Sequence, residues 1–206
     1  MGWYANYVFA SLMDRVLANA VIEHERRMTL APLSGNVLEV GFGTGLNLPF
    51  FPAGVNELTA LDSQTMLPAR VAGRVASAKF PVRQVHIDVS RRLPFPDETF
   101  DGVVTSLTLC SISDPRAALR EMYRVLRPQG TYVFFEHGRS AIPEVARWQD
   151  RLNGLQRLVA CGCNLNRPID SLIRESGFQI AEVVQKSMPG APRVMAAVYR
   201  GLARKK

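Results

Sequence analysis

The segment VLEVGFGTG, residues 37–45, constrains this 206-residue chain more than any other part of it. A β-rich run ends there in three glycines at alternate positions, Gly41, Gly43 and Gly45, ahead of a stretch that reads as helix. Glycine lets a chain bend sharply between strand and helix and lets a ligand approach backbone without side-chain interference. The rest of the sequence must supply a parallel sheet around that turn.

It does so in short β-rich runs separated by helical stretches. From Asn36 onward these are NVLEV, a helix after Gly45, ELTAL, a helix over residues 64–77, VRQVHI and DGVVTSLTL. Asp114-Pro115 opens a further helix, with Asp114 as cap and Pro115 in the first turn; Ala118, Leu119, Met122, Val125 and Leu126 form its apolar face, and Pro128-Gln129-Gly130 stops it. TYVFFE reads as a fifth, central strand, followed by helices near 143–159 and 169–176. FQIAEVVQK and RVMAAVYRG close the chain with no helix between them, so they must pair antiparallel. The expected fold is α/β: a seven-stranded, mostly parallel Rossmann-like sheet with one reversed strand and helices on both faces.

Residues 1–30 form an N-terminal helical extension to a single domain spanning 31–206. Its apolar positions Val8, Leu12, Val16, Leu17, Ala20 and Val21 recur at three and four, with Asp14, Glu23, Glu25, Arg26 and Arg27 on other faces, so the apolar face is expected to pack on the body. The apolar run from Gly2 to Met13 is too short to span a bilayer, which needs ~20 residues. Three cysteines do not make a disulfide framework and no signal-peptide pattern precedes the body, so a cytoplasmic setting follows.

Acidic residues give the glycine turn its chemistry. The sixth position of a dinucleotide fingerprint, where a third glycine belongs, is Leu46, and Glu39 stands two residues before Gly41, where it would repel a diphosphate. A ligand bearing an ammonium and a sulfonium suits such a turn better. Asp62 ends the second strand, where a carboxylate can accept both hydroxyls of a ribose; Asp88 ends the third, placed for an adenine amine, with Val89 offering an amide and Met66 an apolar wall.

With these residues, and with FPDETFDGVVTS and REMYRVLRPQG further on, the chain resembles class I S-adenosylmethionine-dependent methyltransferases from Asn36 onward. Gln129 replaces the glycine usual in the second of those segments. The resemblance implies that the cofactor, S-adenosylmethionine, yields S-adenosylhomocysteine as product, with contacts from Glu39, Gly41, Phe42, Gly43, Gly45, Asn47, Asp62, Ser63, Met66, Asp88, Val89, Ser106 and Leu107. LTLCSISDP, FFEHGRS, Trp148-Gln149 and GCNLNRP are similar to thiol S-methyltransferases of the methyltransferase-like 7 group and bacterial relatives, some carrying phospholipid-methyltransferase labels. The acceptor is therefore expected to be a small thiol (hydrosulfide, methanethiol or an alkyl thiol), with a phosphatidylethanolamine headgroup as the alternative and a non-catalytic cofactor-binding or nucleic-acid-binding module as a third reading.

His137 is the candidate general base, its intrinsic pKa of roughly 6.5 suiting proton transfer near neutrality; Glu136 beside it either orients it or caps a helix. Cys110 either lines the acceptor pocket or is a small buried hydrophobe. Cys161-x-Cys163 lacks the spacing and second pair of a zinc signature, so no metal is expected. Trp3, Tyr4, Tyr7 and Phe9 form a lid over the cofactor, an interfacial membrane anchor, or a packing staple. Arg139 and Arg167 attract an anionic acceptor or are solvated surface. The +7 net charge lies in the C-terminal half, which holds 16 basic and 8 acidic residues, and ends in Arg204-Lys205-Lys206. Peripheral contact with an anionic membrane is thus a candidate property; no nucleic-acid partner is expected, as no base-reading motif is present.

Overall fold

The computed structural model describes residues 3–205, so Gly2 of the apolar run and Lys206 of the basic tail lie outside the described residues. A seven-stranded sheet runs through the molecule. Its strands are β1 (Gly35–Val40), β2 (Val55–Asp62), β3 (Val82–His86), β4 (Phe100–Ser106), β5 (Leu126–His137), β6 (Gln179–Ser187) and β7 (Ala197–Arg204), in the order β3-β2-β1-β4-β5-β7-β6. The first five are mutually parallel, and β7 runs antiparallel to both β5 and β6. This is the expected topology, although β4 rather than β5 occupies the middle of the sheet.

Consecutive residues of the central strands face opposite cores. Leu38, Val103 and Phe134 join one cluster with α4 (Pro115–Val125) and α6 (Ile169–Glu175); Val37, Val104 and Val133 join the other with α2 (Ala20–Leu30) and α3 (Pro68–Ala76). Strands buried on both faces must be apolar throughout, which explains their unbroken hydrophobic runs. In α4, Asp114 Oδ1 accepts from Ala117 N–H at 2.9 Å, a cap worth ~1 kcal/mol. Ala118, Leu119, Met122 and Val125 are fully buried, the three larger side chains each contributing roughly 1.5–3 kcal/mol. The helix ends at Val125, before Pro128-Gln129-Gly130, and the chain passes directly into β5. Gln129 adopts φ +62°, the left-handed backbone that makes glycine the usual residue there.

Two other local expectations are corrected. After Gly45 the chain makes only a 3-10 turn, Leu48–Phe50, with Pro49 removing an amide donor, in place of a helix. The helix expected over 64–77 begins only at Pro68, because Leu67 turns left-handed at φ +44° and residues 63–66 are kept for the loop at the end of β2.

The N-terminal extension is inverted relative to its expected amphipathicity. A π-helical segment, Tyr4–Phe9, leads into α1 (Ala10–Val16), and Asn19 caps α2 by accepting from the amides of Val21 and Ile22. Asp14 is 6% exposed, whereas Leu12 and Val16 are 56% and 52% exposed. The reason is electrostatic: the body presents Arg70 and Arg74 to α1, and Lys186 and Arg200 to Glu25 of α2. Buried charges are tolerated when paired, and here the pairs choose which face turns inward. Lys205 likewise points into the protein, donating to Leu126 O at 2.7 Å, so this lysine of the C-terminal run is not free surface charge. α5 (Pro143–Val159) completes the helices; Leu155, Leu158 and Val159 on it are exposed. Among the described residues no helix is long and apolar enough to cross a membrane.

Candidate active site

Because β1 to β5 are parallel, their carboxyl ends lie on one edge of the sheet, where open α/β sheets bind ligands. The structure gathers most of the glycine-turn residues there. Gly41, Gly43 and Gly45 all have positive φ, +78°, +58° and +80°. Gly43 N–H donates to Asp62 Oδ2 at 2.8 Å and Gln64 N–H to Asp62 Oδ1 at 3.2 Å, so the carboxylate that ends β2 also shapes the turn after β1. Burial pushes the Asp62 carboxyl upward against the pull of these amides.

Glu39 is the most constrained acid. It is fully buried near the end of β1, and Asn47 Nδ2 donates to its Oε1 at 2.6 Å and to Ser106 Oγ at 3.1 Å. Its Oε2 is buried and finds no partner among the described residues. Burial raises its carboxyl to about 8, against the opposing influence of Asn47 and Arg26. Arg26 in turn donates to Asn47 Oδ1 at 2.5 Å, a link from α2 to the cradle that sequence reading missed, having placed Arg26 on an outer face. Thr44 was missed too: its hydroxyl donates to Asp14, while Arg74 donates to Asp14 and to Thr44 O. Burial opposes ionisation of Asp14, but Arg74, Thr44 and Arg70 hold its carboxyl down at about 2.

The remaining donor-side residues are less uniform. Phe42 is buried in a core cluster and Leu107, just past β4, takes a left-handed φ of +55°. Ser63 is exposed and Met66 half-buried after β2. Asp88 lies two residues beyond β3, exposed and accepting from Ser90 N–H at 2.9 Å; the side chain of Val89 belongs to the core, leaving only its backbone for a ligand.

Toward β4 and β5 a second group forms. Glu136 is buried and its Oε2 accepts from the amides of Thr108 and Leu109 at 2.9 and 3.0 Å, so it pins the loop after β4 instead of capping a helix or hydrogen-bonding His137. Cys110, His137 and Cys163 bring Sγ, a ring nitrogen and Sγ within 4.8 Å of one another. Cys163 was not among the expected site residues; 53 positions separate it from Cys110, and only the fold joins them. Hydrogen bonds from Cys110 and His137 draw Cys163 toward the thiolate, while Cys163 and burial push Cys110 up. Beside this cluster is a cleft of about 550 Å³ lined by Tyr4, Ala5, Ser111–Ser113, Arg157, Leu158, Cys161, Gly162, Asn164 and Arg167. Arg167 also donates to Leu109 O. Arg139, in contrast, is committed to Asp150 by two bonds at 2.6 and 2.9 Å and is not among the residues lining the cleft. Tyr7 is exposed, stacks on Trp3 with ring centroids 6.2 Å apart, and is not among the residues lining the cleft.

The fit to an adenosyl sulfonium is specific: an orphaned buried carboxylate oxygen on Glu39, a carboxylate at the end of β2, and open space where a Cβ on Gly43 would stand. Comparison with known proteins agrees. A family model described as a methyltransferase domain matches residues 38–134. Human thiol S-methyltransferase TMT1B is 27% identical over 96% of this chain and 86% of its own length. Phosphatidylethanolamine N-methyltransferase of Cereibacter sphaeroides is 38% identical over 57% of this chain, which spans only 59% of that relative. The solved 1,6-didemethyltoxoflavin-N1-methyltransferase of Burkholderia thailandensis, with bound S-adenosylhomocysteine, superposes with a TM-score of 0.68 at 18% identity, covering 96% of this chain and 84% of that one, which shows the shared fold. Residues 38–134 are a methyltransferase domain, and the relatives and structural neighbours support an S-adenosylmethionine-dependent methyltransferase. The chain is similar to a thiol S-methyltransferase over nearly its whole length.

Two glycines separate folding from binding. A Cβ on Gly41 would stand 2.1 Å from Thr108 Oγ1, and φ +78° strains any L-residue. Gly41→Ala should therefore cost roughly 2–5 kcal/mol, overpacking added to left-handed strain, lowering the melting temperature by about 5–15 °C. Gly43→Ala meets nothing within 4 Å; it should cost only about 1–2 kcal/mol yet obstruct S-adenosylhomocysteine. Thermal unfolding and calorimetric titration of both variants check this; a Gly43→Ala protein that binds normally contradicts the cradle.

Proposed function

We propose that this protein transfers the methyl group of S-adenosylmethionine to a small or alkyl thiol, such as hydrosulfide or methanethiol. When bound, S-adenosylmethionine supplies a methyl group already activated on a sulfonium, so the protein has to align the acceptor and control its protonation. Glu39 and Asn47 receive the ammonium end, Asp62 the ribose, and the backbone near Asp88 and Val89 the adenine. The N-terminal segment, locked by Asp14 to Arg70, Arg74 and Thr44, acts as the lid that keeps water from the reacting atoms.

The observation that carries the acceptor assignment is the character of the cleft. Arg157 and Arg167 line it and no acid does; Glu136, the carboxylate of the neighbouring cluster, holds two amides with Oε2, and burial raises its carboxyl to about 8, so it is mostly uncharged near neutrality. Such a site favours a soft anion and disfavours a protonated amine. A thiol needs little help, being partly thiolate near neutral pH, and we assign His137 as the base that takes its proton. Purified protein should form S-adenosylhomocysteine in proportion to added hydrosulfide or methanethiol. Product formation no greater than in the thiol-free control removes the assignment.

A second reading, methylation of a phosphatidylethanolamine headgroup, is favoured by the exposed Trp3, Tyr4, Tyr7, Val8, Leu12 and Val16, together with Leu155 and Leu158. Exposed apolar side chains beside basic ones suit an interfacial surface. The same vesicle experiment tests peripheral membrane contact and this acceptor: co-sedimentation with anionic liposomes plus lipid methylation supports it, and indifference to vesicles eliminates it.

A further inference from the structure

Nothing in the methyl-transfer reading requires two cysteines and a histidine to meet. Cys110 comes from the loop after β4, His137 from the end of β5, and Cys163 from the loop between α5 and α6. These loops are fastened together at the point of meeting: Asn164 donates to Cys110 O through its amide at 2.8 Å and through Nδ2 at 2.9 Å, and Arg139 N–H donates to Arg167 O at 2.9 Å. The three side chains are thus presented by rigid backbone.

Their own bonding is incomplete. His137 is more than nine-tenths buried; Nδ1 meets only Cys163 Sγ, at 4.0 Å, and Nε2 finds no partner among the described residues. A neutral imidazole has one donor and one acceptor to satisfy, and buried polar atoms without partners are uncommon in folded proteins. Besides Cys163, Cys110 Sγ meets Leu107 O at 3.7 Å and Ser111 Oγ at 3.5 Å, weak contacts for a buried thiol. A ligand shared by the two sulfurs and one imidazole nitrogen would replace these weak contacts with bonds.

We propose that Cys110, His137 and Cys163 hold one thiophilic divalent cation, zinc, whose fourth position takes the acceptor thiol as its thiolate. Zinc bonds of ~2.3 Å to sulfur and ~2.0–2.1 Å to nitrogen put tetrahedral ligand atoms about 3.5–3.8 Å apart. The observed set, all within 4.8 Å, closes on a cation with side-chain shifts of about 1 Å. Two thiolates and one imidazole are a set that leaves the metal an open position in catalytic sites. The opening is on the Cys163 side, since Cys163 is the least buried of the three and its neighbours Gly162 and Asn164 line the cleft. Loading would release the Cys110 and Cys163 thiol protons to solvent, and the incoming thiol would lose its own to solvent on binding, His137 then serving as a ligand in place of a base. In the transfer, a thiolate lone pair forms the new carbon–sulfur bond while the sulfonium carbon–sulfur bond breaks, its pair remaining on the S-adenosylhomocysteine sulfur. The neutral thioether product is a weak ligand and leaves.

The role of the fourth position rests on the thiol reading above; the metal site does not. Full-length reduced protein, incubated with zinc chloride and desalted, should retain one zinc per chain by elemental analysis. With cobalt(II) in its place, thiolate-to-metal charge transfer and tetrahedral d–d bands should appear, and methanethiol should shift the d–d bands. Cys163→Ser should lose both the retained zinc and the charge-transfer band, with cooperative thermal unfolding preserved. The cobalt spectrum of the unaltered protein needs no variant. Absence of retained zinc and of charge transfer overturns the site, as does a Cys110–Cys163 disulfide in the protein as isolated. Charge transfer with d–d bands indifferent to thiol overturns the fourth-position role. Thiol turnover by demonstrably zinc-free protein rejects the fourth-position role and leaves the thiol reading standing, whereas a zinc-loaded protein inert toward every thiol rejects the thiol reading and leaves the metal site.

Discussion

Asp62→Ala should abolish measurable binding of S-adenosylhomocysteine while leaving the protein folded. The Asp62 carboxylate ends β2 half-buried and already accepts from Gly43 and Gln64 amides, so its two oxygens stand fixed at the mouth of the cradle. A ribose brings two hydroxyl donors to them. Hydrogen bonds to a charged group contribute ~1.5–3 kcal/mol each, so two lost bonds amount to ~3–6 kcal/mol, about 10²–10⁴ in affinity. Alanine also frees the Gly43 amide, and the turn loses the bond that holds it open to the ligand. Asp62→Asn keeps one acceptor oxygen and should fall between the two. Calorimetry at constant pH reads all three proteins, and thermal unfolding confirms folding. An alanine variant within threefold of the parent affinity would falsify the ribose assignment.

What sequence reading reached, and what escaped it, divides along local and tertiary causes. The strand-to-glycine turn at residues 37–45 was legible because both the double-sided burial of β1 and the positive φ of Gly41, Gly43 and Gly45 demand particular residue types locally. α4 was legible for the same reason, its cap, Pro115 and apolar face all lying within one segment. The N-terminal extension was not. Its periodicity fixes two faces but not which one meets the body; that was decided by Arg70, Arg74, Lys186 and Arg200, more than fifty residues away. The helix expected after Gly45 failed because the turn continues through Asn47, whose side chain is held by Glu39, Ser106 and Arg26 together. Cys163 escaped because its partners, Cys110 and His137, come from other loops, and linear spacing around Cys161-x-Cys163 speaks only to ligands close in sequence.

Binding of the cofactor product should release a proton from Glu39, and its affinity should therefore climb with pH below 8. Burial places the Glu39 carboxyl at about 8 in the free protein, so near neutrality it is mostly protonated. An ammonium group set against its unpartnered Oε2 favours the ionised form and drags that pKa down. Each complex formed at pH 6 to 7 should then expel close to one proton, falling toward one half near pH 8. Titrations in two buffers of different ionisation enthalpy measure the count directly, and affinity should rise nearly tenfold per pH unit between 6 and 7. Glu39→Gln removes the group, so the proton count drops to zero and the slope flattens, with weaker binding at pH 7.5. The same shift has the opposite consequence for folding. Because the folded-state pKa lies above the unfolded value near 4.5, the native chain binds more protons between about 4.5 and 8, and its stability declines as pH rises through that window. Glu39→Gln should thus be the more stable protein above pH 8 while being the poorer binder. That opposition identifies a carboxylate kept in the core for its ligand: a residue serving only the fold would lose stability and affinity together.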